Sequence, residues 1–545
     1  MTRRGLWLIP AVAFAGPLAA ALWWGVADAV DAAAWSRLAA DSQFVPALRL
    51  SLAVGAAGTT IAVLLTLAIV TGLHGTRAWA RLQAALPALL AVPHAAFAIG
   101  LALLLMPSGI VARGVALLTG WSAPPDVATV QDPWGLALIA GLVLKEMPFL
   151  LWSVAAQWQR VGQGAELQRQ LQLAATMGYT GRAAWSRVVW PQLLPQLALP
   201  VLAVWAYSLT VVDMALVLGP TRPPTLAVLA WQWLLDADAA TNRRGAAAAL
   251  ALTGVMAAVA IAVMLAWRVS RPWRARRWTA GDRPAPVPAR RPFASRVGIV
   301  VYAAVLAMLA FMSVAGVWTF PDLWPQRWSA DAWAVVVGSR STLGFTAALA
   351  TLSAFTGLVL AVAWMETTPP HWDGRAAPVV FATMLIPGVL LVAGLYTLTL
   401  HAGIDGRLSG LWLAHSLYAA PYVLVALAPA YRSQDPRYAQ TAHALGHHHA
   451  SFLWRVKWPM LAVPMAAAFA VGFAVSVTQY LPTQFVGAGR HATLATEALT
   501  LASGGQRNLA AAFALLQALL PALVFAAAWQ VGRLQARRLG APAAA

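Results

Sequence analysis

Twelve apolar stretches of about 20 residues recur along this chain, near 5–27, 46–72, 82–106, 134–158, 192–218, 245–268, 297–318, 342–364, 377–400, 410–430, 461–482 and 510–533. Each is long enough to cross a hydrocarbon layer of ~30 Å as a helix. Because a helix satisfies its own backbone groups in lipid, the expected fold is an all-α polytopic membrane protein with about 12 transmembrane helices. Only 10% of residues are charged and 60% are hydrophobic, against about 25% charged in a soluble domain. That excludes a soluble enzyme, a disordered tail and a nucleic-acid-binding module, despite a net charge of +19. With no cysteine, disulfides, thiolate metal sites and cysteine nucleophiles are excluded too. The first stretch follows Arg3 and Arg4, is long for a signal peptide and leads into further spans, so it is expected to stay uncleaved as an anchor.

The basic residues report orientation, since Lys and Arg are retained on the cytoplasmic side. With the N-terminus inside, the inner segments hold 25 basic and five acidic residues, and the outer ones 11 of each. The inner face is then about +20, and both termini are cytoplasmic. Arg243 and Arg244 are outer exceptions. Nine arginines from Arg268 to Arg296, interleaved with Pro272, Pro284, Pro286, Pro288 and Pro292, cannot form a membrane helix and read as a linker. Contact with anionic membrane lipid explains this charge better than a nucleic acid does. The domain organisation is therefore a first six-helix half at 1–270, a cytoplasmic linker at 271–296 and a second six-helix half at 297–545.

An internal repeat supports that division. The loop after the fourth span, QLAATMGYTGRAAWSRVVWP from Gln172, and the loop after the tenth, QTAHALGHHHASFLWRVKWP from Gln440, are offset by 268 residues and share seven of twenty positions. The shared residues are Gln172/Gln440, Ala174/Ala442, Gly178/Gly446, Arg187/Arg455, Val188/Val456, Trp190/Trp458 and Pro191/Pro459. Duplication is the simplest source. Gly178 and Gly446 allow a sharp backbone turn, Pro191 and Pro459 suit the first turn of a helix re-entering the membrane, and the mixed stretch between suits a docking helix. A second echo pairs Pro93 and Gly100 in the third span with Pro387 and Gly394 in the ninth, where a proline kink is the simpler expectation and locally opened backbone the other. Parallel halves of this kind can share one translocation path.

Both loops resemble the EAA loop of binding-protein-dependent ABC importer permeases, in which Glu-Ala-Ala is followed by a glycine and then by a hydrophobic residue and proline. The matching positions are Gln172, Leu173, Ala174, Gly178, Val188 and Pro191, and Gln440, Thr441, Ala442, Gly446, Val456 and Pro459. The span pattern extends the likeness over nearly the whole chain, to the fused permeases of the iron(III) and thiamine type. The run Lys145-Glu146-Met147-Pro148 resembles a thiamine-related branch. The resemblance implies a type I-like permease in a bacterial inner membrane, each loop docking on a cytoplasmic ABC ATPase, a dimer that binds ATP and Mg. It further implies an extracytoplasmic solute-binding protein and a solute such as thiamine. Gln stands in both loops where the family has Glu; an amide keeps hydrogen bonding but not charge.

ATP hydrolysis is expected in a partner. A phosphate-cradling loop, GxxxxGK[ST], needs a lysine, and the chain's two lysines are followed by Glu146 and Trp458. The segment 501–506, LASGGQ, resembles an ABC ATPase signature but stands alone, and is read as coincidence. Lys145 and Glu146 lie inside the fourth span, where a charge costs about 2.5–3.5 kcal/mol. They must face protein or water, as a pathway-lining pair or as structural contacts. Asp213 in the fifth span and Gln479 with Tyr480 in the eleventh are further pathway candidates. His443 and His447 have metal-ligand spacing, but together with His448 and His449 they read as a solvated or partner-facing face, so no metal is expected. The alternatives to an importer permease are an ion-coupled secondary transporter and an integral membrane transferase, the latter without a visible catalytic constellation.

Overall fold

The computed structural model describes residues 5–160, 162–179, 181–281 and 293–538. Arg3, Arg4 and the linker prolines Pro284, Pro286, Pro288 and Pro292 lie outside them. The described residues are helical and contain no strand; one isolated bridge joins Ala315 and Trp328. Nine helices among them are long and apolar enough to cross a membrane. Two more spans are bent pairs: Pro370–Leu385 with Gly388–His401, turned by 98°, and His449–Met460 with Ala462–Val477, turned by 77°. Of the stretch expected at 297–318, residues 297–312 are helical, as part of the helix Phe293–Met312, and the rest is not. Part of the expected linker is also helical, over Arg271–Thr279.

Proline does more than kink the third and ninth spans. The helix Arg77–Ala91 ends just before Pro93, and a new one begins at His94. In the second repeat Ile386 is extended (ψ 136°) between helices Asp373–Leu385 and Gly388–His401, as a residue before proline must be.

The contacts define two compact units: Met1–Asp28 with Ala91–Ala96 and Ala330–Ala545, and Ala29–Leu90 with Phe97–Ser329. Each unit thus includes the first helix of the opposite repeat. In the first unit, Leu8–Ala27 packs on Gly388–His401 so closely that a Cβ at Gly394 would lie 1.7 Å from the Ala21 carbonyl oxygen. In the second, Phe293–Met312 crosses at Gly100, where a Cβ would lie 2.7 Å from Val305 Cγ1. The two echoed glycines therefore share a physical role: a small residue lets two apolar helices approach.

Other details repeat as well. Ser51 Oγ accepts from the Leu226 backbone N–H at 2.8 Å, and Thr346 Oγ1 accepts from Leu494 N–H at 3.0 Å. Each caps a helix that starts 268 residues from its counterpart. The second unit also holds a clamp of its own. Arg113 is 2% exposed, donates to the carbonyls of Ser108, Asp322 and Trp318 at 2.9, 2.6 and 3.1 Å, and stacks 3.9 Å from the Trp318 ring centroid. The exceptional arginines have acidic partners: Arg244 pairs with Asp41 at 2.9 Å, and Arg243 shares Asp31 with Arg37, each at 3.6 Å.

Candidate functional site: two equivalent loops

The paired loops fold alike. In the first, the helix Gln163–Thr176 ends on Gly178 at φ +85°. The Gly178 N–H donates to Ala175 O and the Tyr179 N–H to Ala174 O, at 3.0 and 2.9 Å. In the second, Arg437–Ala444 ends on Gly446 at φ +80°, and the N–H groups of Gly446 and His447 reach His443 O and Ala442 O, both at 3.0 Å. This is one helix-ending motif, made twice, in which a left-handed residue lets two N–H groups satisfy the last carbonyls. The chain then restarts as helix at Gly181 and at His449. A π-helical turn follows in each loop, over Trp185–Val189 and Leu453–Lys457, again 268 residues apart.

The side chains sort consistently. Ala174 and Ala442 are buried, whereas Gln172 and Gln440 are exposed. One residue before each glycine, Met177 (54% exposed) and Leu445 (72%) present large apolar groups to the outside. Arg187 is half-buried, its guanidinium 5.6 Å from the Tyr179 ring centroid, while Arg455 is exposed. Val188, Val456 and Pro191 are half-buried, and Pro459 is exposed.

What holds each loop differs between the repeats. The first rests on an aromatic cluster: the His74 ring lies 4.0 Å from Trp158 and 5.1 Å from Trp185, Trp158 and Trp185 stack at 5.7 Å, and Trp190 Nε1 donates to Thr71 Oγ1 at 3.1 Å. Burial pushes the His74 pKa below its ordinary value, because a charged ring would lose its hydration. The second loop rests on charge. Glu366, at the end of the helix Arg340–Thr367, accepts from Tyr431 OH at 2.7 Å, from Lys457 Nζ and from His449 Nε2 at 3.1 Å. Trp458 Nε1 donates to Tyr431 OH at 3.1 Å. Beside it, Arg432 grips Asp373 with two hydrogen bonds of 2.7 and 2.8 Å. In the repeat alignment, Lys457 stands where the first loop has the buried Val189. Of the four clustered histidines only His449 reaches a carboxylate; His443 Nδ1 lies 2.9 Å from His447 O. Among the described residues no group of three His, Cys, Asp or Glu side chains could hold a metal ion.

Asp213, Gln479 and Tyr480 fall at helix interruptions, whereas Lys145 and Glu146 lie inside the continuous helix Leu136–Trp158. Lys145 and Glu146 are both buried; Lys145 Nζ donates to Leu89 O at 3.2 Å, close to the break at Pro93, and lies 5.8 Å from the Tyr302 ring centroid. When Pro148 and Pro421 are aligned, Tyr418 takes the place of Lys145, and its OH lies 3.5 Å from Gly388 O at the break in the ninth span. Asp213 starts the short helix Asp213–Leu218, with its Oδ1 accepting from Met214 N–H at 2.9 Å. Gln479 and Tyr480 occupy the matching break, between Ala462–Val477 and Leu481–Val486. Gln479 Nε2 donates to Val475 O at 3.2 Å, and Tyr480 is buried. Sequence reasoning missed Tyr431 and also Glu366, whose partners Tyr431, His449 and Lys457 lie 65–91 residues away; the available signal was an acid at a span end facing a loop that carries the rare Lys457.

The described residues thus form a helical multi-pass membrane chain that carries one loop geometry twice. Residues 354–539 match the family described as the binding-protein-dependent transport system inner membrane component. Over 528 residues the chain is 34% identical to the inner membrane ABC transporter permease protein YnjC of Escherichia coli (strain K12), covering 96% of this chain and 94% of that protein. The chain belongs to this family of ABC transporter permeases and is a multi-pass inner membrane protein.

Proposed function

We propose that the chain is the membrane permease subunit of an ATP-driven importer, with both repeats fused in one polypeptide. In this reading the loops around Gly178 and Gly446 are EAA-type docking elements for a cytoplasmic ABC ATPase dimer, which binds ATP and Mg and supplies the hydrolysis. Both termini are cytoplasmic, and a solute-binding protein delivers the solute on the other side. The observation that carries the reading is the second copy: the helix end, the left-handed glycine, the exposed Met177 or Leu445 and the π-turn recur at one offset. An exposed apolar residue beside a rigid turn is what a partner groove can use as an anchor. Nucleotide state then moves the permease by binding one of its conformations more tightly than the other.

Lys145, Glu146, Asp213, Gln479 and Tyr480 are the proposed pathway groups, because buried or half-buried polar groups in or near broken helices mark solute paths in transporters. The likeness of the Lys145–Pro148 run to a thiamine-related branch supports thiamine or a related small solute. The test is uptake by cells or vesicles carrying the permease, its ATPase and its binding protein. Labelled solute is expected to accumulate, and accumulation to stop when the ATPase's phosphate-binding lysine is replaced. Uptake indifferent to that replacement would overturn the importer reading.

A further inference from the structure

One cavity is used by nothing described so far. In the unit that contains most of the second repeat, a groove of about 310 Å³ opens among the helices Leu8–Ala27, Arg340–Thr367, Asp373–Leu385 and Leu408–Arg432. This is at the lower edge of small-molecule pockets, roughly 300–1,000 Å³. Its lining is apolar apart from one charged residue, Arg375, and includes Trp7, Phe14, Trp364, Pro421 and Leu424.

The lining is ordered along the groove. Trp7 meets Trp372 edge-on at 5.0 Å, and the Arg375 guanidinium lies 5.8 Å from the Trp372 ring centroid. Trp364 is tied to Asp373 at 3.0 Å. Tryptophan and arginine thus gather at one end and aliphatic groups continue from it, as at a membrane interface. The nearby carboxylate of Asp373 is already taken by Arg432 and Trp364, whereas Arg375 is exposed and lines the groove.

The first repeat contains the matching position, and there it is filled. A cavity of only about 10 Å³ is lined by Met147, Pro148, Leu151, Gly298, Ile299 and Tyr302, among others, with no charged residue. Alignment on the shared proline pairs Pro421 with Pro148, Leu424 with Leu151 and Ala420 with Met147. The smaller cavity thus has Met147 in its lining where the groove has the shorter Ala420. Water would find almost no polar partners in such a groove and so gains little by entering; the surrounding medium supplies hydrocarbon.

We infer that this groove binds one acyl chain of a membrane phospholipid whose anionic head group lies against Arg375. The full chain is reconstituted in lipid nanodiscs with phosphatidylglycerol carrying a photoactivatable acyl chain, and labelled peptides are mapped. Label is expected on the segments around Phe14 and Leu424, saturably displaced by unlabelled phosphatidylglycerol. Ala420→Met excludes about two methylenes, each worth about 0.8 kcal/mol, and is expected to cut the label about tenfold. Arg375→Gln is expected to lower phosphatidylglycerol labelling about fivefold while leaving labelling by a phosphatidylethanolamine analogue unchanged. Labelling in the unmodified protein that cannot be saturated, or that avoids the groove, overturns the site without requiring any variant to fold. Equal labelling by both lipids with no effect of Arg375→Gln overturns the anionic head group.

Discussion

Gly178 and Gly446 sit at φ +85° and +80°, a region that costs an L-residue with a side chain roughly 1–2 kcal/mol. A Cβ at Gly446 would meet nothing within 4 Å, so the cost of Gly446→Val is backbone strain and not collision. The variant is expected to insert normally, to lose the Ala442 and His443 carbonyl contacts, and to leave ATPase turnover running while uptake falls. Parallel assays of hydrolysis and uptake check this. Glu366 carries a different burden, because Lys457, His449 and Tyr431 all converge on it. Removing one partner of a buried ion pair costs about 3–5 kcal/mol; here both charged side chains keep about 15% exposure, so Glu366→Gln is expected at the low end of that range. Adding Lys457→Met should recover part of the loss, and a double-mutant cycle on thermal stability measures it.

At the scale of the element, the two loops are alike in backbone and unlike in support. The first leans on Trp158, Trp185 and neutral His74, the second on the Glu366 cluster. Their responses to solution conditions should therefore diverge. His74 is held below the ordinary histidine value of about 6.5 by burial. Its packing is fully effective above pH 6.5. As pH falls from there toward the lowered value, the loosened loop takes up a proton that the packed ring refuses, and stability is lost. After normalisation for the intrinsic rate, which itself slows as pH falls, hydrogen exchange across 163–193 should show an excess below about pH 6.5, and His74→Phe should abolish that excess. Equal excess in the variant would remove His74 as its source. Pro93 and Pro387 show what sequence leaves open: the prolines mark the site, but a kink and a 98° turn share the same local signature.

For the molecule as a whole, apolar length and the arginine-rich midpoint make the spans and the duplication legible, and seven identities in twenty residues locate the loops. The inclusion of each first helix in the opposite repeat's unit was not legible, because Gly100 and Gly394 announce a close crossing without naming the helix that crosses. In the sequence Arg113 reads only as a charge, since the Trp318 and Asp322 carbonyls it clamps lie 205 and 209 residues away, and backbone acceptors leave no trace in composition. The central claim remains that both loops dock on one ATPase dimer. The chain has no cysteine, so Met177→Cys and Leu445→Cys place single photoreactive labels without further engineering. The account predicts that each label captures the ATPase in membranes and that nucleotide changes the yield; failure of both positions to capture an ATPase that copurifies with the unmodified chain would contradict it.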